Sequence, residues 1–535
     1  MTAAPRSGKR AAARPFARVL LSLLAAVLLC LPFGAAWQYH AYRQAVARQE
    51  PVPEHAPEPA PEAGKNPGSP AAALARQPRP SGPVVLAYHD VRPDGHSPYT
   101  VTPEALDAQL TALADAGYTT LTSAEFTRYL RGGRVPARSV YLTFDDGAQG
   151  LWQYADRVLA AHRMRAAAFL ITGQVGRRHS YYLSWDEIRR MAESGRWDFQ
   201  GHTHDSHHRA TVDAAGHRGS ALTNRLWLPG AGRRETPAEY RRRVVRDLDR
   251  SVAEMTGHGL PRPTVFAYPF SETAEDSNLR PGEPSPQRLL RQRFAVTLTN
   301  ATGSALPPGP RAAAAGRVQR LEVTARTGVR ELMEGIAEWT PVAPGAVPRP
   351  LRDPARWRLR GDLATAGGVR PGSLAGHGPL PARRGCLAAD YRSIGSADWT
   401  GYAVGATAAG LRGTGNHTVL TVRKGSRHPL TVYLSRDRVR VATGSPARLR
   451  TAAVRELAPA SRHRLRVLVG PGRIAVRVDG STRIAVRTPA GTPASRTAGG
   501  IALGICTTGA RAPWPHFAAL TLADRRPATT PDGGR

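Results

Sequence analysis

The fold class that this sequence predicts is α/β: a distorted (β/α) barrel, followed by an all-β sandwich and preceded by one membrane-spanning segment. Three patterns predict it. From about Pro83 to Val342, short apolar runs alternate with helical stretches, the signature of parallel strands with crossover helices. From about Gly385 the period changes to two, as in Arg464-Leu465-Arg466-Val467-Leu468-Val469, which describes antiparallel strands with one solvated face. Ahead of both, Val19 to Trp37 carries no charge, a length sufficient to cross a bilayer.

In the first region, Val84-Val85-Leu86-Ala87-Tyr88 and Val140-Tyr141-Leu142-Thr143-Phe144 read as buried strands. Ala166 to Ile171 and Trp197 to Gln200 read likewise. Pro103 to Ala116 reads as a helix capped by Thr102, with Pro103 in its first turn. Ser184-Trp185-Asp186-Glu187 has a capping-box pattern and starts another. Asp186 reads as a helix-start residue. In folds of this kind the C-terminal ends of the strands carry the chemistry.

Arg6, Lys9, Arg10, Arg14 and Arg18 precede the apolar segment, so residues 1–18 are expected in the cytoplasm and the rest outside. Gly34-Ala35-Ala36 offers a signal-peptidase site. An uncleaved anchor at 19–37, giving a single-pass protein of the cell membrane, is the expectation, with secretion after cleavage as the alternative. Residues 38–82 are rich in Pro, Ala and Glu and read as a spacer.

The chain has 535 residues and a net charge of +33, carried almost wholly by arginine. Such a chain could meet nucleic acid, anionic lipid or an acidic wall polymer. The arginines are spread over the whole length and no nucleic-acid module is visible, so no nucleic-acid partner is expected. Of three cysteines, Cys30 lies in the apolar segment, and Cys386 and Cys506 could form a disulfide in an oxidising compartment.

Three polar clusters sit at predicted strand ends. Thr143-Phe144-Asp145-Asp146-Gly147 places two adjacent carboxylates after an apolar strand. That is costly unless a cation pairs with them; one Asp can ligate while its neighbour accepts a proton. Gly201-His202-Thr203-His204-Asp205-Ser206-His207-His208 holds four histidines within seven residues, and imidazole is a favoured ligand of zinc-like metals. Phe266-Ala267-Tyr268-Pro269-Phe270 is a third strand end with a proline turn.

Together these residues resemble the polysaccharide deacetylase family (NodB homology, carbohydrate esterase family 4). Its Thr-Phe-Asp-Asp-Gly hallmark stands at Thr143 to Gly147, its His-(Ser/Thr)-x-x-His motif has a counterpart at His202-Thr203, and its Tyr-Pro-Tyr-Gly segment corresponds to Tyr268-Pro269-Phe270-Ser271. Counting from His202, His207 is five residues on rather than four. That spacing, with Tyr88-His89-Asp90-Val91 and the basic helix from Tyr240 to Met255, resembles the branch that deacetylates poly-β-1,6-N-acetylglucosamine. The resemblance implies a divalent ion, zinc first with nickel or cobalt as alternatives, held by Asp146, His202 and His207. It implies Asp145 as general base, an oxyanion donor at or near the Tyr268 backbone, and His89 as general acid, because the family's late Leu-x-His is replaced by Arg320-Leu321-Glu322. A second ligand pairing, His204 with His208, keeps the four-residue spacing. The implied substrate is an acetylated polysaccharide; peptidoglycan is an alternative polymer, and a non-catalytic surface binding protein on the same scaffold an alternative function.

Residues 343–384, rich in Pro, Gly and Arg, read as a second linker, and residues 385–525 as the sandwich. Asp479-Gly480-Ser481-Thr482 between alternating strands signals a hairpin. This pattern resembles the laminin-G and concanavalin-like group, which implies an accessory role, carbohydrate-binding or structural. Residues 526–535 read as a disordered tail. The pattern leaves the oligomeric state open.

Overall fold

The computed structural model describes residues 68–525, apart from 96, 178–180, 301–305, 367, 414 and 509–513. The predicted cytoplasmic segment, membrane segment and tail lie outside the described residues. No helix among those described is long and apolar enough to cross a membrane.

Seven strands build the first unit: β1 (Val84–Tyr88), β2 (Ser139–Phe144), β3 (Ala166–Leu170), β4 (Trp197–Gly201), β5 (Val265–Ala267), β6 (Val296–Asn300) and β7 (Val318–Glu322). All pair in parallel, in the order β1-β7-β6-β5-β4-β3-β2, and β2 returns to β1 to close the ring. Every residue of β1, β2 and β3 is buried, as parallel strands covered on both faces must be. The two-residue period sorts their side chains. Val85, Tyr141, Ala167, Phe169, Val265, Leu298 and Val318 fill the barrel, while Val84, Leu86, Leu142 and Phe144 face outward against helices.

Two of those helices, from Pro103 and from Trp185, begin where the sequence signals them. Helix α1 (Pro70–Ala75) is capped by Ser69. Helix α2 (Pro103–Asp115) has Thr102 as its cap, accepting from the Ala105 N–H at 3.2 Å, and ends before Gly117, whose φ of +77° suits glycine. Helix α3 (Trp185–Glu193) carries the Ser184/Glu187 capping box. Helix α4 (Pro237–Gly257) starts with a Thr236/Glu239 box. Later helices include α5 (Pro310–Ala315) and α6 (Val329–Trp339). Asp186 is an exposed first-turn residue paired with Arg189, as the capping pattern implied.

Two stretches that read as linkers are packed where they are described. Leu74 of α1, inside the predicted 38–82 spacer, is buried in the barrel's outer core. In the predicted 343–384 linker, β8 (Trp357–Arg360) pairs with β9 (Gly385–Tyr391). Trp357, Leu363 and Leu374 are buried in the second core. Proline and glycine made these stretches look open; the few apolar residues between the turns decide otherwise.

The second unit continues with β10 (Tyr402–Ala409), β11 (His417–Lys424), β12 (Leu430–Leu434), β13 (Arg438–Thr443), β14 (Arg450–Glu456), β15 (Arg462–Val469), β16 (Arg473–Val478), β17 (Thr482–Arg487), β18 (Gly500–Thr507) and β19 (His516–Asp524). One antiparallel sheet runs β8-β9-β18-β11-β12-β13-β14 and the other β17-β16-β15-β10-β19. Their inner faces share one core that includes Leu420, Val432, Val467 and Val476. Cys386 and Cys506 stand opposite each other on β9 and β18 and form a disulfide. The units are joined through main-chain carbonyls: Arg311 of α5 donates to Ala397, Ala498 and Gly425 oxygens at 2.8, 3.1 and 3.0 Å.

One ion pair beneath the barrel wall tests the packing. Asp156 accepts from Arg196 Nε and Nη2 at 3.0 and 2.9 Å and from Trp197 Nε1 at 2.8 Å, all buried. Asp156→Ala strands a buried guanidinium. We expect a loss of about 3–5 kcal/mol in urea unfolding, while Arg189→Ala, which breaks an exposed pair, changes stability by less than about 1 kcal/mol.

Candidate active site

The site lies at the C-terminal ends of β1, β2, β4 and β5. Tyr88 pairs with Phe144 in register, and the Asp145 N–H donates to the Tyr88 carbonyl at 2.9 Å. The chain then turns sharply: Asp146 and Gly147 both have positive φ, +71° and +72°. A Cβ on residue 147 would meet Leu170 at 2.8 Å, so glycine is needed for space as well as for conformation. This turn sends the two neighbouring carboxylates to different surroundings.

Asp145 points into the mouth of the barrel and is buried. There it meets Arg320 of β7 in a bidentate pair, Oδ1 to Nη1 and Oδ2 to Nη2, both 2.7 Å. Arg320 is held in turn by Thr143 Oγ1 and Asn300 Oδ1, each at 3.1 Å. Burial alone would raise the Asp145 carboxyl; the Arg320 charge and hydrogen bonds outweigh it and hold the group well below the usual carboxylate range. Asp145 is therefore ionised, and each oxygen keeps a lone pair beyond the one given to Arg320.

Asp146 faces the histidine loop. Its Oδ1 lies 3.5 Å from His202 Nε2 and 3.4 Å from His207 Nε2. The three donor atoms fall within 4.8 Å of one another, and they form the one such group among the described residues. His202 Nδ1 donates to the Ala267 carbonyl at 2.8 Å, which turns Nε2 inward; burial alone would lower this imidazole, but the hydrogen bond to Asp146 and the Asp145 and Asp146 charges outweigh it and raise His202. Burial, with the nearby His202 charge, pushes His207 down to about 4, so its imidazole is neutral at neutral pH. One carboxylate oxygen and two imidazole Nε2 atoms converging in this way fit a divalent metal of the zinc type, which would take the place of the proton they now share.

The five-residue spacing has a structural cause that the sequence did not reveal. Asp247 of α4 sits under the loop and accepts three successive backbone N–H groups, from His204, Asp205 and Ser206, at 3.2, 2.7 and 2.9 Å. Thr203 takes a φ of +76°, and the loop is drawn into a tight arc that brings His207 back beside His202, ring centroids 4.5 Å apart. The alternative ligand pair does not form. His204 bonds Thr172 Oγ1 through Nδ1 at 3.0 Å, and His208 Nδ1 bonds the Asp205 carbonyl at 2.8 Å.

The remaining expected residues divide. His89 follows β1 beside the site. Its charge acts on both Asp145 and Asp146, its ring lies 4.9 Å from Tyr99, and its buried Nδ1 has no protein partner. Tyr268 does not reach the site. Its N–H donates to the Leu298 carbonyl at 2.9 Å, and its ring is buried against Phe266. A sheet hydrogen bond has claimed the donor expected there. Two residues on, Phe270 is 41% exposed with φ +57°, and its ring lies 4.8 Å from His207. Tyr181 also borders the site: burial, then the charges of Asp146 and Asp90, push its phenol up.

Asp247 gives a test of this geometry. Asp247→Ala should weaken zinc binding about 10–100-fold in a competitive dye titration of the intact protein. Asp247→Asn, which keeps an acceptor oxygen, should recover part of it. Unchanged zinc affinity in the alanine variant would remove the loop-holding role.

Residues 132–280 match the family model described as polysaccharide deacetylase. The chain is 28% identical over 216 residues to the poly-β-1,6-N-acetyl-D-glucosamine N-deacetylase of Escherichia coli K12, covering 37% of this chain and 32% of that protein. It is 27% identical over 181 residues to the protein of the same name from Staphylococcus aureus MRSA252, covering 33% of this chain and 56% of that protein. This chain thus spans about a third and about half of the lengths of these relatives. The structure of IcaB from Ammonifex degensii aligns at 28% identity and a TM-score of 0.38 over 48% of this chain and 97% of that one. The barrel of this chain carries a polysaccharide deacetylase domain over residues 132–280, and the curated relatives similar to it are poly-β-1,6-N-acetyl-D-glucosamine N-deacetylases.

Proposed function

We propose that this chain is a metal-dependent hydrolase that removes N-acetyl groups from an extracellular polysaccharide, with poly-β-1,6-N-acetylglucosamine as its substrate. The observation that carries the reading is the meeting of Asp146, His202 and His207 donor atoms within 4.8 Å beside a second, separately paired carboxylate. The likeness to the two curated N-deacetylases supports the choice of substrate. Asp146, His202 and His207 would hold the ion, zinc first and nickel or cobalt otherwise. When bound, such an ion polarises a carbonyl and makes water a stronger acid.

The chain's own groups then divide the work. Asp145, kept ionised by Arg320, takes a proton from the water that attacks the acetyl carbon. Each of its oxygens is already oriented by a guanidinium N–H, so the carboxylate does not rotate as it accepts. The C–N bond breaks and His89 gives a proton to the leaving nitrogen, releasing a free amine and acetate. The first backbone N–H after Pro269 belongs to Phe270, and we assign the oxyanion contact to it in place of Tyr268. Tyr99 and Phe270 flank the two ends of this arrangement as exposed rings, surfaces on which the apolar faces of sugars can lie. The reading places the enzyme outside the membrane, tethered through residues 19–37 or released after cleavage there. The sandwich serves as an accessory domain of the laminin-G or concanavalin-like kind.

The test is acetate release by the purified protein from β-1,6-linked N-acetylglucosamine oligomers, with peptidoglycan fragments in parallel. Chelator should abolish release and added zinc restore it. Asp146→Asn and Asp145→Asn should each lower kcat by at least about 100-fold, and His89→Ala by about 10²–10⁴-fold. Release from peptidoglycan alone would move the substrate. No release from either, with zinc, cobalt or nickel supplied, would leave a surface binding protein.

A further inference from the structure

On the flank of the sandwich, the edge strand of one sheet, β14, faces the edge strand of the other, β17. Between them lies a groove of about 510 Å³. Its floor is apolar, from Leu430, Ile474 and Val486. Its walls are arginines: Arg427, Arg448, Arg450 and Arg487. Among the described residues no side chain of these four is in an ion pair.

The carboxylates of residues 385–525 are Asp390, Asp398, Asp437, Glu456, Asp479 and Asp524. None lines the groove. Asp390 is taken by Arg360 and Lys424, Asp479 by His463, and Asp524 by the Gly345 N–H. Four cations thus share one concavity without a counter-charge, an arrangement that disfavours itself unless an anion is there to meet it.

Behind the wall is a fifth arginine. Arg423 is 2% exposed and sits at the irregularity in the β11–β18 pairing, with φ +53°. Its guanidinium donates to Thr488 Oγ1 at 2.9 Å, to the Pro471 carbonyl at 3.0 Å and to the Gly470 carbonyl, while its buried Nε has no partner. No carboxylate neutralises it among the described residues, so a buried positive charge adds its field to the groove. Burying an unpaired charge costs several kcal/mol, and a ligand anion offsets that cost.

We propose that this groove binds an anionic polysaccharide, one bearing carboxylate or phosphate groups, and docks the enzyme on it. Arginine forks suit both groups, and the apolar floor suits the C–H face of a sugar ring. No Phe, Tyr or Trp side chain lines the groove, whose one ring besides the prolines is the His428 imidazole, so it lacks the extended stacking platform on which single-stranded nucleic acid is read. The groove is not a site for the reaction's own polymer, if the deacetylase reading holds: the N-acetylated chain is neutral, and the deacetylated chain is a polycation that the arginines repel.

The experiment is isothermal titration of the full chain with polygalacturonate and with poly(glycerol phosphate), using dextran as the neutral control. Two triple variants carry the same charge loss. One is Arg427→Ala, Arg450→Ala and Arg487→Ala in the groove. The other is Arg464→Ala, Arg466→Ala and Arg477→Ala, exposed residues outside it on the five-stranded sheet. The groove triple should weaken binding at least about tenfold and the control triple less than about threefold, with both losses screened by added salt. Binding to one polyanion alone identifies the anionic group. Equal losses in the two triples would mean diffuse charge attraction and overturn the proposal. So would absence of binding to both polyanions, or tighter groove-dependent binding to single-stranded DNA or to phosphatidylglycerol vesicles. Acetate release from a neutral oligomer, measured on the same samples, should be unchanged in either triple and reports separately on the catalytic reading.

Discussion

A carboxylate at the mouth of a closed barrel is an expensive object, and the pairing of Asp145 with Arg320 is what permits it. The two residues approach from strands β2 and β7, which flank β1 in the ring. The inward phase of each strand brings them face to face: Val318 and Tyr141, two and four residues earlier, fill the barrel below. Removing an ion from water costs several kcal/mol, and only a well-formed partner offsets it. Here the partner is bidentate and is itself held by Thr143 and Asn300. With Asp145 fixed in this way, the peptide turn that follows is fixed too, and Asp146 projects on the opposite side towards the histidines. One ion pair therefore separates the fates of two adjacent carboxylates, giving each a different partner.

The histidine loop shows the same economy with backbone groups. Three N–H donors that would need water in an open loop are gathered on Asp247. A carboxylate accepting several N–H bonds is a strong clamp. Its helix, α4, is anchored from the far side by Tyr240, Val244 and Leu248, which pack with Tyr268 and Phe294. The placing of His207 beside His202 thus depends on a long helix that supplies one acid, Asp247.

What could be read from the sequence follows from how local each signal is. The barrel strands declared themselves as apolar runs, and the Asp and His residues that converge at the rim as polar clusters directly after them, because both strand phase and strand end are local properties. The caps at Thr102 and Ser184 were legible for the same reason. Asp247 and Arg320 were not legible as site residues: each sits in an ordinary helix or strand, and its partner lies 41 or more residues away. Which N–H near Tyr268 stays free could not be read, because that depends on the neighbouring strand, where the Leu298 carbonyl takes the Tyr268 N–H. The 343–384 stretch has its apolar content around Trp357, and it packs there; composition counts prolines and glycines equally whether the chain between them packs or not. The arginine excess looked uniform along the chain, and the fold gathers four of these residues around one groove.

The register between β1 and β2 fixes one more quantity. Tyr88 and Phe144 are cross-strand partners, so the residues that follow them, His89 and Asp145, occupy neighbouring rungs at the rim. Strands in a sheet stand about 4.8 Å apart, and that spacing is set by main-chain hydrogen bonds. The proposed acid and base are therefore held at a separation that belongs to the barrel wall, while the loops around them are free to differ in length and composition. Surface loops can drift towards another polymer without altering the span across which the proton must be returned, so in this scaffold selectivity can evolve at little cost to chemistry.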